Sequence, residues 1–353
     1  MNGKDSSLEI KKRMSYLLLA LTLTVGFVIV YFSKVQPIWY LLTIPSVIFC
    51  FEITGIVHEL GHFITAKNCG FEVVYCAFPN FVYDKTAKTK IKFTLKGEYL
   101  GEIRFYPKTP FDYAEGFKKT LLGGIYAHIV IACVLNALLL VAVFGGFGAV
   151  SPILSVAFCY APYSLYALIV NVVPWFHPEN DGAMVKNLNG SRDEVEAVFN
   201  FYSIQKALFE GKSYCEISAS HFSASPNVST GIRMPLVVFA LRRALESEDR
   251  KTADALADIL KNEDVYDLAT DCELLYKFIL DGNEEMVREY EKVLPYAENE
   301  NYPVVLKALL AHAKYRGDDE YFAVAKPRAI KVCEETEFCK GDAKYNKILI
   351  EKL

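Results

Sequence analysis

TLLGGIYAHIVIACVLNALLLVAVFGGFGAVSPILSVAFCYAPYSLYALIVNVVPWFHP, Thr120 to Pro178, runs for 59 residues without one Asp, Glu, Lys or Arg. A membrane-crossing helix needs roughly 20 apolar residues, so this run holds two of them. They lie at about 121–144 and 150–176, with Gly145-Gly146-Phe147-Gly148 turning the chain between them. Upstream, Met14–Ser33 is also uncharged and follows Lys11-Lys12-Arg13. It is too long for the apolar core of a signal peptide and lacks a small-residue cleavage site, so it reads as a retained span over 14–33. A further apolar segment, Ile38 to Val57, is broken only by Glu52 and leads directly into His58, for a span over about 38–62.

Charge sorts the rest. The 353 residues carry 38 Lys and Arg against 42 Asp and Glu, but the balance is 16 to 12 in residues 1–187 and 22 to 30 in residues 188–353. The first part is a membrane domain and the second a polar domain. A wholly soluble protein is excluded, and so is nucleic-acid binding as the main function, because the polar half is acidic. Lys and Arg also orient the chain, since positively charged short loops stay cytoplasmic. The tail before Met14 has four, the 66–119 connection has ten, the 33–37 link has Lys34 alone and the turn at 145–149 has none. Both termini are therefore expected in the cytoplasm, with the cell membrane as the location. Nine cysteines without a C-x-x-C pair read as reduced thiols rather than a disulfide framework.

The connection between the second and third spans carries strand patterns. Residues 90–96 alternate polar and apolar, Gly97 interrupts, and Glu102-Ile103-Arg104-Phe105 alternates again, which predicts β-hairpins with one apolar face within a β-rich insertion at about 70–108. Beyond Asn189-Gly190 the pattern is helical, opening with Ser191 and Glu194 as a capping-box pair. Turns at Ser247-Glu248, Asp281-Gly282 and Arg316-Gly317 recur at spacings of 34 and 35 residues. A stack of helical hairpins resembling tetratricopeptide repeats fits that period, as does an ordinary helical bundle. The fold class is thus an α-helical polytopic membrane protein: four transmembrane helices, a β-hairpin insertion and a cytoplasmic all-α domain.

The chemistry centres on His58-Glu59-Leu60-Gly61-His62. Helix residues four apart share a face, so both imidazoles reach one zinc ion, and Glu59 lies where a general base would take a proton from water. Ionisable groups at the end of a membrane helix are costly and usually functional. Such a site needs a third protein ligand and leaves the fourth position for water. The next polar cluster is Asn171 to Gly182, NVVPWFHPENDG, at the same cytoplasmic end. Asp181, Glu179 and His177 all stand within reach in sequence. His128, inside the third span, either hydrogen-bonds a neighbouring helix or contacts substrate or the zinc-bound water. Glu52, seven residues before Glu59, is either a supporting carboxylate for the site or a structural one.

This combination resembles the site-2 protease family of intramembrane zinc metalloproteases, in which a transmembrane HExxH is joined by an Asp from an N-x-x-P…D-G motif on a later span. The resemblance covers about residues 38–187 and implies His58, His62 and Asp181 as ligands of one zinc ion. It further implies Glu59 as the base and Asn171 as a residue that positions substrate. Pro174 and Asp181 are further apart than is usual in the family, which keeps Glu179 and His177 open as the third ligand, and His128 stands where many members have Asn. The implied reaction is hydrolysis of a peptide bond in or beside a transmembrane segment of a client membrane protein, with the helical domain offering a surface to a cytoplasmic protein partner. Two other readings use the same residues: a catalytically silent relative acting as a membrane scaffold or client-binding protein, and a metal carrier.

Overall fold

The computed structural model describes residues 3–32, 43–78, 81–85, 89–93, 102–106, 113–144, 152–174, 180–188, 192–223, 225–263, 267–297, 300–336 and 339–353. It divides into two units, Met1–Ser191 and Arg192–Leu353. The chain is mostly helical, with one small antiparallel sheet.

The first unit contains α1 (Gly3–Phe32), α2 (Thr43–Asn68), α3 (Tyr113–Phe144), α4 (Pro152–Val172) and α5 (Asp181–Leu188). Helices occupy most of each expected span; residues 33–42 and the turn at 145–149 lie outside the described residues. Among the described residues one stretch, Ala114–Val134 in α3, is long and apolar enough by itself to cross a membrane, and Tyr16–Val25 and Pro162–Val172 are shorter apolar stretches. Polar side chains within these helices return their hydrogen bonds to their own backbone. The hydroxyls of Thr24, Thr65 and Thr120 donate to carbonyls one turn back at 2.8, 2.8 and 2.9 Å, and the Asn136 amide does so at 2.7 Å.

Three glycines let α2 and α3 cross in backbone contact. A methyl group on Gly61 would sit 2.4 Å from the Gly123 carbonyl oxygen, and one on Gly123 would sit 2.6 Å from that of Gly61. Gly124 opens the next position along α3 to the rings of α2. Small residues at a crossing permit this approach where any larger side chain forces the helices apart.

The sheet comprises β1 (Glu72–Phe78), β2 (Phe81–Asp84), β3 (Ile91–Phe93) and β4 (Glu102–Tyr106), in the order β3-β2-β1-β4 with antiparallel pairing. The two strands expected to form a hairpin within 90–105 are therefore its opposite edges: β3 pairs with β2 and β4 with β1. The buried face belongs to the central β1, whose run of apolar residues does not alternate, and to β4. It meets the helices through Phe105, whose ring lies 5.5 Å from that of Phe71 and 5.3 Å from that of Phe117 on α3. Strand β3 buries no side chain, and Phe93 is 86% exposed.

The second unit is all helical: α6 (Arg192–Phe209), α7 (Thr230–Glu246), α8 (Arg250–Asn262), α9 (Leu268–Asp281), α10 (Glu284–Tyr290), α11 (Leu294–Ala297), α12 (Pro303–Arg316), α13 (Asp319–Glu335) and α14 (Lys340–Lys352), with short 3-10 turns between some of them. The recurring turns have one construction. Glu248, Gly282 and Gly317 take positive φ of 60, 66 and 73°. The next residue, Asp249, Asn283 or Asp318, caps the following helix by accepting the N–H of Thr252, Met286 or Tyr321 at 3.1, 3.2 and 3.0 Å. The 34- and 35-residue period is thus a repeated stop-and-restart of helix, with α7/α8, α9/α10 and α12/α13 packed as hairpins. The Glu194 carboxylate accepts the backbone N–H of Ser229 at 2.9 Å and the Ser229 hydroxyl, satisfying donors at the start of α7; Ser191, its expected capping-box partner, lies outside the described residues.

Four helices of this unit meet at a buried charge network. Glu273 of α9 accepts from Arg242 Nε of α7 at 3.1 Å, from Lys307 Nζ of α12 at 2.5 Å and from the Tyr345 hydroxyl of α14 at 2.5 Å. Arg242 Nη1 also donates to Asp342 at 2.9 Å and to the Tyr214 hydroxyl at 3.0 Å. Burial alone pushes the Glu273 carboxyl up, yet Lys307 and Arg242 hold it below the usual carboxylate range. Lys307→Met removes one cation and leaves Glu273 buried beside fewer donors, so it is expected to destabilise this unit by about 3–5 kcal/mol. Chemical denaturation checks this, and adding Glu273→Gln to the same protein should recover part of the loss.

Candidate metal centre

Two helices and the first residue of a third supply the cluster. His58 and His62 are one turn apart on α2, and their rings meet edge to face with centroids 4.5 Å apart. Their Nε2 atoms are separated by 3.0 Å. Asp181 Oδ2 lies 3.1 Å from Nε2 of His58 and 3.2 Å from Nε2 of His62. Three ligand-type atoms therefore form a nearly equilateral triangle, although Asp181 is more than a hundred residues along the chain from the pair. Asp181 Oδ2 is buried and, despite these short distances, makes no hydrogen bond of good geometry.

The imidazole of His62 is held in one tautomer. Its Nδ1 lies 2.7 Å from the carbonyl oxygen of Thr120 on α3, and a carbonyl only accepts, so Nδ1 carries the proton. In the neutral ring this leaves Nε2 with its lone pair toward His58 and Asp181, as a metal ligand requires. Gly124 makes the space for both rings: a methyl group there would lie 2.6 Å from His58 Cε1 and 2.6 Å from His62 Nε2. Glu59 is 6% exposed. One of its oxygens lies within 4.8 Å of the ligand nitrogens of both histidines, room for one intervening water.

The placement of Asp181 depends on a residue that the sequence reading passed over. Asn180 donates from Nδ2 to the carbonyl oxygens of Val170 at 2.7 Å and Val173 at 2.8 Å, satisfying the end of α4. Its Oδ1 accepts the N–H of Ala183 at 2.8 Å, capping the start of α5. One side chain thus welds the end of one helix to the start of the next. Gly182 completes the junction, since a methyl group there would overlap the Val172 carbonyl oxygen at 1.9 Å. An Asn immediately before a helix start was the available signal.

Of the other expected site residues, His128 of α3 joins the cluster, its ring 4.9 Å from that of His58 at an interplanar angle of 27°. Asn171 lies partly buried in the last turn of α4, and no hydrogen bond among the described residues joins it to the four side chains above. Glu52 is partly buried on α2. His177 and Glu179 lie outside the described residues.

The donor set fits a zinc-type ion. A tetrahedral shell with bonds of about 2.0–2.1 Å has ligand atoms about 3.3–3.4 Å apart, close to the edges of this triangle, and two imidazoles with a carboxylate are a familiar catalytic shell. No protein-family model, curated protein or solved structure matches the chain.

Asn180→Ala should weaken zinc affinity by about 10–100-fold, the usual effect of losing a group that orients a ligand. Competition with a zinc-chelating dye reads this directly, and an unchanged affinity contradicts the role given to Asn180.

Proposed function

We propose that the chain is an intramembrane zinc metalloprotease of the site-2 protease type, cutting a peptide bond in or near a transmembrane segment of a client membrane protein. The observation that carries this reading is the convergence of His58, His62 and Asp181 on one point, with Glu59 beside them.

A membrane setting is supported by what the helices leave uncovered. On α1, Tyr16, Leu17, Leu21 and Tyr31 are each at least 59% exposed. On α3, Tyr126, Val130, Val134 and Val141 are at least 53% exposed. Apolar surface of this extent needs lipid or a partner. Four spans at 14–33, 38–62, 121–144 and 150–176, with both termini in the cytoplasm, are the topology that the Lys and Arg distribution favours.

Zinc in this site supplies Lewis acidity, acidifying water and polarising a peptide carbonyl. His58 and His62 present Nε2 and Asp181 presents Oδ2 as ligands, and the Thr120 carbonyl keeps His62 in the competent tautomer. Glu59 takes a proton from the attacking water on its carboxylate and later gives it to the leaving nitrogen. Asn171 is assigned the role of positioning substrate. An extended substrate suits the chemistry, since a helix buries its own carbonyls in hydrogen bonds, and an exposed edge such as β3 is a surface onto which an extended peptide can pair.

The test is a pair of variants of the purified protein in detergent, with membrane-protein clients as substrates. His58→Ala is expected to lose both bound zinc and cleavage, whereas Glu59→Gln keeps most of the zinc and loses cleavage. Full cleavage by Glu59→Gln contradicts the mechanism.

A further inference from the structure

His128 is the cluster member with both ring nitrogens, Nδ1 and Nε2, buried and unpaired among the described residues. It is 1% exposed on an otherwise apolar face of α3. A histidine serving only to join two helices bonds to the neighbouring helix; among the described residues this one makes no such bond. A buried polar group left unpaired costs about 1–3 kcal/mol, and an apolar residue of similar shape avoids that. The ring lies alongside His58, one turn beyond the Gly124 position that gives the metal-site imidazoles their room. The partner it lacks is therefore supplied by something that enters the centre.

We infer that His128 is a catalytic residue whose ring N–H donates a hydrogen bond to the carbonyl oxygen of the peptide bond being cut. This inference rests on the protease reading and deepens it. In the hydrolysis the water oxygen bonds to the carbonyl carbon while a water proton passes to Glu59. The carbonyl π pair moves onto the carbonyl oxygen, where the His128 N–H meets the growing negative charge. When the C–N bond breaks, the nitrogen takes the proton held by Glu59. The second water proton follows, so the products are a carboxylate and an ammonium group. A neutral imidazole in a dry pocket serves this purpose well, because its N–H is preorganised and no protein acceptor competes for it.

The test uses the full-length protein in detergent, loaded with zinc, and an apolar phosphinic peptide that imitates the tetrahedral carbon and its two oxygens. Three proteins are compared, wild type, His128→Phe and His128→Gln, for bound zinc, thermal midpoint and peptide affinity by calorimetry. The expected result is zinc unchanged and a midpoint equal to or above that of wild type, with affinity about 10²–10³-fold weaker in His128→Phe and partly restored in His128→Gln, whose amide can donate. With a cleavable client, the same loss should fall on kcat with KM little changed. Zinc lost in both variants makes His128 a metal ligand and overturns the inference, as does equal peptide affinity in all three. A wild type that binds no zinc refutes the protease reading itself, and with it this role. A wild type that binds zinc but not the peptide overturns the inference while leaving the metal centre intact.

Discussion

The contact on which the candidate metal centre depends is the crossing of α2 and α3 at Gly61, Gly123 and Gly124. Because each glycine backbone lies where the other helix would otherwise place a side chain, the rings of His58 and His62 come to rest against α3. From that one approach follow the Thr120 carbonyl that fixes the His62 tautomer, the stacking of His128 on His58, and the narrow space shared by donors from two helices. Without the glycines the HExxH helix would still form, with its histidines one turn apart, but the wall behind them would be absent. The third donor arrives through a second backbone contact, Gly182 against the Val172 carbonyl, steadied by the three hydrogen bonds of Asn180.

The sequence made some of this legible and hid the rest for identifiable reasons. His58 and His62 are local: four residues on a helix fix their separation, so their pairing needed no tertiary knowledge. Asp181 is remote, and its place beside them was an expectation drawn from family resemblance, with Glu179 and His177 kept open. Asn180 was legible only as a helix cap; its hold on the carbonyls of α4 is a function that no side-chain pattern advertises. The sheet misled for a similar reason. Residues 90–96 and 102–105 both alternate, but alternation does not name the partner strand, β3 within the first stretch buries neither face, and the strand that organises the sheet is the almost wholly buried β1.

In the second unit the period of 34 and 35 residues was visible as turns, and its cause is the repeated pairing of a positive-φ residue with an Asp or Asn cap. The charge network was not visible. Arg242, Glu273, Lys307 and Asp342 look like ordinary surface charges of polar helices, and only the packing of α7, α9, α12 and α14 turns them into one buried set. Neutral in sum and linked by hydrogen bonds, such a set disfavours any register that separates its members, which is a reason for it to persist in place of apolar packing.

The central claim is that two imidazoles of one helix and a carboxylate from the end of another hold a single zinc ion. Zinc-edge X-ray absorption on the purified full-length protein tests it most directly. The account predicts one zinc per chain with nitrogen and oxygen neighbours at about 2.0–2.1 Å, imidazole outer-shell scattering from His58 and His62, and a changed first shell in Asp181→Asn. A protein that takes up no zinc, a shell containing sulfur at about 2.3 Å, or a spectrum indifferent to Asp181→Asn would contradict it.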